Sequence, residues 1–300
     1  MLRQAFVRRR VYTWAMTNHG PTPNAVYFGD NLEIIRTFPD KSFELIYIDP
    51  PFNTGKTQSR RSITTKRSES GSRLGFAGKT YEVVRGDVTS YSDTFADYWA
   101  FLEPRLEEAW RLLKDDGTLY LHLDYREVHY AKVLLDSLFG RDSFLNEIIW
   151  AYDYGARSKS KWPTKHDNIL VYVKNPDNYI FNNTAVDREP YMAPGLVTPE
   201  KAALGKLPTD VWWHTIVSPT GKEKTGYATQ KPEGVLRRII QASSNPGDWV
   251  LDFFAGSGTT GAVAAKLGRV FVMVDQNPES IEVIQKRLSA IPDLEKVTYI

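Results

Sequence analysis

The 300-residue sequence contains no cysteine. This absence excludes a disulfide scaffold, a thiolate zinc site and any mechanism that proceeds through a cysteine nucleophile. The five histidines are scattered without the spacing of metal ligands, so we expect no metal site. The sequence also lacks an apolar run of about 18 residues, the length that a membrane span needs. Residues 1–10 carry charges where a signal peptide would be apolar, and we therefore expect a cytoplasmic protein.

The sequence has little net charge, because 38 basic residues face 36 acidic ones and leave a total of +2. The basic residues are unevenly distributed. Residues 1–29 hold four arginines and no acid, and residues 55–85 hold eight basic residues against two acidic ones. The near-neutral total therefore does not exclude a nucleic-acid partner, since local basic segments can contact phosphates. With 42% hydrophobic and 25% charged residues, the chain has the composition of a globular protein.

Hydrophobic patterns typical of strands and helices alternate along the chain. We predict strands at 25–28, 43–48, 118–123, 144–151, 168–174, 249–252 and 270–274, and helices at 92–114, 126–138, 232–243, 259–267 and 278–290, with Ser92 as the N-cap of the first helix. Strands separated by helices predict an α/β fold with a mostly parallel, doubly wound sheet. Ligands of such sheets bind beyond the carboxyl ends of the strands. Five aspartates follow predicted strands: Asp30, Asp49, Asp124, Asp252 and Asp275.

Two segments interrupt this alternation. Residues 55–91 are basic and rich in serine and threonine, which predicts a mobile loop that contacts phosphates or is simply solvated. Its candidate phosphate contacts are Arg60, Arg61, Lys66 and Arg67. Residues 175–228 hold many prolines and glycines, which predicts an inserted and largely irregular module.

The segment 252–261 reads DFFAGSGTTG and connects a predicted strand to a predicted helix. Its glycines match the GxGxxG pattern of dinucleotide-binding turns, and Asp275 ends the next strand, where an acid can bind ribose hydroxyls. Asp252 stands before the glycines and would repel a pyrophosphate. It suits a cationic ligand such as S-adenosylmethionine better; a tight turn without a ligand stays open. The candidate cofactor residues are Asp252, Phe253, Phe254, Gly256, Ser257, Gly258, Thr259 and Asp275.

The segment 49–52 reads DPPF and follows the apolar strand 43–48. Pro50 and Pro51 fix the backbone and provide carbonyl acceptors without amide donors. Asp49 adds a carboxylate acceptor, and Phe52 adds a flat ring. Two acceptors beside an aromatic ring can hold a planar exocyclic amine and direct its nitrogen lone pair at an electrophile. The alternative is a rigid turn with a core phenylalanine.

The order of these two segments resembles the permuted class of DNA amino-methyltransferases, in which the catalytic turn precedes the cofactor turn. The resembling segments are 29–31 (GDN), 49–55 (DPPFNTG), 165–172 (KHDNILVY), 229–233 (TQKPE) and 252–260 (DFFAGSGTT). The resemblance implies a Rossmann-like fold with a mostly parallel seven-stranded sheet and an antiparallel edge strand. It also implies S-adenosylmethionine as cofactor, duplex DNA as substrate, and further cofactor contacts at Asp30, Asp49 and Lys231.

The resembling segments lie within about residues 25–290 and predict how the chain is divided: 25–174 is a catalytic half, 175–228 a target-recognition insert and 229–300 a cofactor-binding half. Residues 1–24 match nothing diagnostic of the family and are expected to form a basic N-terminal extension. An aspartate at position 49 favours the 6-amino group of adenine, reached by base flipping and methylated by direct in-line transfer.

Several alternatives and partners stay open at this point. The 4-amino group of cytosine is the alternative target, and an NAD-dependent oxidoreductase is the alternative function. The basic residues Arg157, Lys159, Lys161 and Lys165 surround Trp162, a pattern that suits contact with the DNA backbone. Similar enzymes leave open a homodimer and a cognate restriction endonuclease as partners.

Overall fold

The computed structural model describes residues 20–53, 56–67, 73–74, 80–93, 98–153, 157–218, 220–294 and 296–300. The strands are β1 (Ala25–Phe28), β2 (Phe43–Ile48), β3 (Lys56–Arg67), β4 (Arg73–Leu74), β5 (Thr80–Asp93), β6 (Leu113–Leu123), β7 (Phe144–Ala151), β8 (His166–Val173), β9 (Val211–Trp213), β10 (Trp249–Asp252), β11 (Val270–Asp275) and β12 (Thr298–Tyr299). The helices are α1 (Asn31–Ile35), α2 (Tyr98–Leu112), α3 (Val128–Phe139), α4 (Pro199–Leu204), α5 (Glu233–Ser243), α6 (Thr259–Lys266) and α7 (Pro278–Ser289). None of the helices in these ranges is both long and apolar enough to cross a membrane.

The main sheet has the strand order β12-β1-β11-β10-β2-β6-β8-β7-β9. Its strands run parallel except β8, which is antiparallel to both β6 and β7. The prediction of an α/β fold with a mostly parallel sheet is confirmed. The sheet has nine strands within the described residues rather than seven, and its antiparallel strand lies inside the sheet rather than at the edge. The two extra edge strands, β9 and β12, have three and two residues, too few to produce a periodic pattern.

Helices cover both faces of the sheet. On one face, α2 and α3 pack apolar side chains such as Leu102 and Leu135 against alternate residues of β2 and β6. On the other face, α5, α6 and α7 pack side chains such as Ile239 and Ile284. Every residue of β2 is buried, which explains why five of its six residues are apolar or aromatic rather than alternating with polar ones; the exception, Glu44, forms an ion pair with Lys114.

The strands β2 and β10 lie side by side and run parallel. From β2 the chain proceeds through α2 to β6 on one side, and from β10 it proceeds through α6 to β11 on the other. This reversal of direction makes the β2–β10 pair a topological switch point, where a crevice opens beyond the carboxyl ends of the strands. The segments DPPF and DFFAGSGTT begin at these two ends.

The prediction of a loop at 55–91 was wrong. Strands β3 and β5 pair along almost their whole length in an antiparallel hairpin, and β4 adds a third strand to this separate sheet. Polar and basic residues are compatible with strands when both partners are long, and composition alone does not reveal such pairing. Ser92 consequently lies in β5 and not at a helix start, and α2 begins at Tyr98.

The 175–228 insert is largely irregular, as predicted, but it is not separate from the sheet. It holds the short helix α4, and its strand β9 pairs parallel with β7 at the edge of the main sheet. Of the predicted basic N-terminal extension 1–24, residues 1–19 lie outside the described residues.

A glycine at position 258 permits the contact between α6 and α7. Gly258 has φ +70° at the start of α6, and a Cβ there would lie 2.7 Å from Ile284 Cγ1 of α7. Gly268 has a similar φ of +73°, but the nearest atom to an added Cβ, Pro246 Cβ, is 3.9 Å away. The two glycines therefore share a backbone requirement and differ in their surroundings.

We expect Gly268→Ala to lower the free energy of unfolding by about 1 kcal/mol, the cost of the left-handed backbone. Gly258→Ala adds overpacking and should lower it by a further 1–3 kcal/mol, roughly. Urea denaturation of both variants measures the difference. Equal losses of the free energy of unfolding in the two variants would contradict this expectation, because they would show that Ile284 moves away from the added Cβ without a free-energy cost.

Candidate active site

A cavity of about 490 Å³ opens at the switch point, beyond the carboxyl ends of β2, β10 and β11. It is lined by most of the residues that the sequence singled out: Asp49, Pro50, Pro51, Phe52, Lys231, Asp252, Phe253, Phe254, Gly256, Ser257, Thr259 and Asp275. The two turns, about 200 residues apart in the sequence, thus meet in one crevice because parallel strands present their carboxyl ends at one edge.

Two of the predicted cofactor residues do not line this cavity. The Asp30 carboxylate caps α1 by accepting hydrogen bonds from the Leu32 and Glu33 amides, and it forms an ion pair with Arg105 at 3.1 Å. Its neighbours Gly29 and Asn31 line the cavity instead. Gly258 packs against Ile284 and serves the helix contact described above. The N-cap of α1 accounts for an aspartate at position 30. The left-handed backbone and the close approach of Ile284 account for a glycine at position 258.

The Asp49 carboxylate is held from one side only. Its Oδ2 forms an ion pair with the Lys231 ammonium, and both side chains are largely buried, 15% and 11% exposed. Its Oδ1 is buried and has no hydrogen-bond partner among the described residues. A buried acceptor without a donor costs free energy, which a ligand that donates a hydrogen bond would recover.

Phe52 lies close to two other side chains: Lys231, which lines the cavity, and His122, which does not. The Lys231 Nζ is 4.9 Å from the centre of the Phe52 ring, and the His122 ring is 6.0 Å from it, centre to centre, at an interplanar angle of 36°. Phe52 is only partly buried, so part of its ring is accessible from the cavity. An accessible aromatic ring beside an unpaired acceptor can bind a planar group that carries a hydrogen-bond donor.

Asp252 ends β10 in a buried position, 2% exposed. Its oxygens accept hydrogen bonds from the Phe254 amide at 3.0 Å and from the Thr260 hydroxyl at 2.6 Å. Burial, with smaller contributions from the charges of Asp49 and Asp275, outweighs these bonds and raises the pKa of Asp252 to about 7. The ionised carboxylate is therefore poorly compensated within the protein and would be stabilised by a cation.

Asp275 ends β11 and organises the glycine-rich turn. Its Oδ2 accepts the Gly256 amide at 2.7 Å, and its Oδ1 accepts the Asn277 amide at 2.8 Å. Burial raises the pKa of this carboxyl above its ordinary value despite these bonds. The cavity thus holds three carboxylates against one ammonium, which disfavours the pyrophosphate of a dinucleotide and favours a cationic ligand.

Sequence reasoning missed a buried arginine that supports the site. Arg105 of α2 donates from Nε to Asn31 Oδ1 at 2.6 Å, and Asn31 Nδ2 in turn donates to the Phe253 carbonyl at 2.7 Å. The chain of bonds connects α2, α1 and the cofactor turn. The available indication was an arginine on the apolar stripe of a predicted helix, between Leu102 and Ala109. Other cavity residues carried no indication in the sequence, among them Tyr47, Phe101, Tyr227 and Asn277.

The predicted DNA-contacting residues fall into two groups. Arg60, Arg61, Lys66 and Arg67 lie on β3, and their side chains lie outside what the structure describes. In the other group, Arg157, Lys159 and Lys161 are exposed beside Trp162, which is 93% exposed. Lys165 donates to the Asp153 carbonyl at 3.3 Å. In the described ranges, no group of three or more potential metal-binding side chains occurs.

Comparison with known proteins assigns the family. A family profile described as DNA methylase matches residues 43–286. DNA adenine methyltransferase YhdJ of Escherichia coli (strain K12) is 31% identical over 280 residues, 91% of this chain and 85% of the relative. Type II methyltransferase M.HpaI of Haemophilus parainfluenzae is 30% identical over 259 residues, 86% of this chain and 72% of the relative. The chain belongs to the N6/N4 family of DNA methylases.

Solved structures agree with this fold. The M1.HpyAVI complex with S-adenosylmethionine superposes with a TM-score of 0.57 at 22% identity, covering 88% of this chain and 98% of the other. The cytosine-N4-specific PvuII DNA methyltransferase superposes with a TM-score of 0.61 at 16% identity, covering 91% and 88%. This N6/N4 DNA methylase is therefore a DNA methyltransferase that uses S-adenosylmethionine. The dinucleotide alternative from the GxGxxG pattern is set aside.

The residues of the cavity fit this cofactor. Its sulfonium and ammonium groups are cationic, and the buried Asp252 with a pKa near 7 is the carboxylate most in need of a cation. Asp275 stands where the resemblance expects the ribose hydroxyls, and the rings of Phe101 and Phe254, 6.0 Å apart, provide apolar wall. We assign Asp252 and Asp275 as the residues that would hold the two ends of the cofactor.

The raised pKa of Asp252 makes a prediction about the ligand-free protein. Folding requires proton uptake between about pH 4 and pH 7, because the folded carboxyl holds its proton more tightly than the unfolded one. The free energy of unfolding of the wild type should therefore fall, relative to Asp252→Asn, as the pH rises through this window. The difference should reach about 4 kcal/mol by pH 7 and then stay constant. Urea denaturation across this pH range measures it.

Asp187→Asn is the matched control. Burial opposes ionisation there, but hydrogen bonds from Arg237 and Gln241 prevail and lower the pKa of Asp187. The Asn variant at this position should lose stability relative to the wild type as the pH rises. A pH-independent difference for Asp252→Asn would contradict the electrostatic description of the cofactor site.

Proposed function

We propose that this DNA methyltransferase transfers its methyl group to the exocyclic 6-amino group of adenine in duplex DNA. The observation that carries the proposal is the buried, unpartnered Oδ1 of Asp49 beside the accessible ring of Phe52. An exocyclic amine needs an acceptor in its own plane, and its base needs a surface on which to stack. The DPPF turn offers both within one cavity.

In this proposal, three residues of the turn have a task. Asp49 Oδ1 accepts one hydrogen of the amine and the Pro50 carbonyl accepts the other, so that the nitrogen lone pair turns out of the ring plane. Phe52 stacks on the base. The bound cofactor supplies a methyl group on a cationic sulfur. In the transfer, the nitrogen–methyl bond would form as the methyl–sulfur bond breaks. The Asp49 carboxylate would stabilise the positive charge that develops on the amine, and the surplus proton would then pass to solvent.

Lys231 acts on Asp49 from the other side. Its ammonium is paired with Oδ2, which leaves Oδ1 as the carboxylate oxygen without a partner among the described residues. The family resemblance implies Lys231 as a cofactor contact. Its ion pair supports a role in orienting the catalytic carboxylate, and its contact with the face of Phe52 supports a second role in fixing that ring.

The target amine lies inside the double helix, so the base must be flipped out at a cost of a few kcal/mol, roughly. Contacts to the DNA backbone would offset this cost. The exposed side chains of Arg157, Lys159 and Lys161 beside Trp162 support such contacts, and the 175–228 insert is proposed to read the base sequence. The homodimer and the cognate restriction endonuclease that the resemblance left open stay predictions.

The choice of adenine rests on Asp49 and on the relatives. YhdJ is named as a DNA adenine methyltransferase, whereas the similar PvuII structure is of a cytosine-N4-specific enzyme. The two products differ in mass and in base, so one experiment separates them.

Expression in a host that lacks DNA methylation, followed by mass spectrometry of the nucleosides, should yield N6-methyladenine from the wild type. Asp49→Ala should yield none, because the amine loses its carboxylate acceptor, while titration of S-adenosylmethionine should show nearly unchanged affinity. The control is Asp115→Ala, which breaks another lysine–aspartate pair, Lys41 with Asp115, remote from the cavity. It should methylate like the wild type.

Either of two results would overturn the proposal. N4-methylcytosine in place of N6-methyladenine would contradict the choice of base while leaving the chemistry of the turn intact. Substantial methylation by Asp49→Ala would contradict the assignment of the carboxylate itself.

A further inference from the structure

A fully buried histidine lies behind the catalytic turn. His122 of β6 is 0% exposed and faces the side of the sheet that α5 covers. Its Nδ1 is 2.8 Å from the Tyr47 hydroxyl, and its Nε2 is 3.3 Å from Asp167 Oδ2. The Tyr152 hydroxyl donates to the other oxygen, Asp167 Oδ1, at 3.1 Å. Four polar side chains from strands β2, β6 and β8 and from the residue after β7 thus form one buried chain of hydrogen bonds.

The charge states of these side chains bear on which atoms donate and which accept along the chain of hydrogen bonds. Burial opposes the ionisation of Asp167, but hydrogen bonds from His122 and Tyr152 and the positive charge of Lys231 prevail and lower its pKa. In the neutral tautomer of His122 that carries its proton on Nε2, that nitrogen donates to the ionised Asp167 and Nδ1 accepts a hydrogen from Tyr47. Burial, reinforced by the charge of Asp49, raises the pKa of Tyr47, so its hydroxyl keeps the proton that it donates.

Burying these polar side chains costs free energy, so their presence calls for a functional explanation. Removing an aspartate and a histidine from water costs several kcal/mol, roughly, and apolar side chains would fill the same volume at no such cost. On the same face, β2 and β8 carry the apolar residues Leu45, Ile169 and Val171, whereas β6 carries Tyr120, whose hydroxyl bonds to Ser243. The polar chain therefore marks a place where orientation matters more than stability.

Two neighbours of His122, Phe52 and Tyr47, connect it to the catalytic turn. The His122 ring packs on Phe52 and is itself held at its other side by Trp150, whose ring lies edge-on at 5.6 Å between centres. Tyr47 of β2 lies two residues before Asp49, which follows the strand, and both residues line the cavity. A rotation of the imidazole would displace the surface against which Phe52 rests.

We propose that His122 is a positioning residue for the target base: Tyr47 and Asp167 fix the orientation of its ring, and the ring holds Phe52 where the flipped base stacks. This inference rests on the proposed role of Phe52 in stacking. His122 itself does not line the cavity, so its effect passes through Phe52.

The test compares Tyr47→Phe with Tyr120→Phe. Tyr120 is the matched control, because it is equally buried, lies on the same strand as His122, and donates or accepts one buried hydrogen bond with Ser243 at 2.8 Å. Both variants lose one buried hydroxyl. Only Tyr47→Phe releases Nδ1 of His122. Asp167→Asn, a second variant, weakens the hold on Nε2 from a residue that does not line the cavity.

Incorporation of tritiated methyl groups into unmethylated genomic DNA gives kcat/KM for DNA, whichever base is the acceptor. Tyr47→Phe and Asp167→Asn should lower it about tenfold or more, because a misplaced ring weakens stacking in the reacting geometry. Their KM for S-adenosylmethionine should stay within about twofold of the wild type, and Tyr120→Phe should match the wild type in both constants while losing a similar amount of thermal stability.

Losses in kcat/KM that are equal for Tyr47→Phe and Tyr120→Phe would reduce the chain to a structural element and overturn the inference. A selective rise in KM for S-adenosylmethionine would also overturn it, since the chain would then serve the cofactor. An inactive wild type would instead refute the proposed function, so the two failures are distinguishable.

Discussion

The parallel pairing of β2 with β10 is the constraint on which the site depends. It places the carboxyl ends of two strands, separated by some 200 residues of sequence, at one crevice of the sheet. Each strand ends in an aspartate, and like charges in a buried crevice repel each other. Asp49 is relieved by its ion pair with Lys231, whereas Asp252 has only neutral donors and a pKa raised to about 7. The two carboxylates therefore have different needs: Asp252 needs a cation, and Asp49 needs a hydrogen-bond donor for Oδ1.

This difference in environment distinguishes two sides of the cavity: a proposed cofactor side around Asp252 and a proposed substrate side around Asp49. The cofactor side is anionic, rigid and tied to the backbone of the glycine-rich turn by Asp275. The substrate side presents one acceptor and one ring, both fixed by Lys231 and, in our inference, by the buried chain through His122. In the proposed function, the cavity would hold a cation and an amine and align them, which is what direct transfer between them requires.

The sequence predicted the residues whose role is set locally. Asp49, Asp252 and Asp275 were found because each ends an apolar strand, and parallel strands in an α/β sheet end at one edge. Asp30 and Gly258, which were predicted as cofactor residues, do not line the cavity. An N-cap aspartate and a glycine in the left-handed region are explained by what they touch, here the α1 amides and Ile284, and the sequence does not contain that information.

The residues that were missed depend on distant partners. Arg105 bonds to Asn31, and His122 bonds to Tyr47 and Asp167, across 74, 75 and 45 positions of sequence. Burial of these groups becomes visible only once the strands are assembled. The hairpin of β3 and β5 was missed for the same reason, since its long antiparallel register joins segments whose composition alone resembles a loop.

The most direct test of the account is the distance between Asp49 Oδ1 and the exocyclic nitrogen of the target base. A crystal structure of the protein with duplex DNA and an unreactive analogue of the cofactor would measure it. The account predicts a flipped base stacked on Phe52, with its amine within about 2.6–3.2 Å of Oδ1. An Oδ1 bound to the amino group of the cofactor, with the base amine out of hydrogen-bond reach, would contradict it.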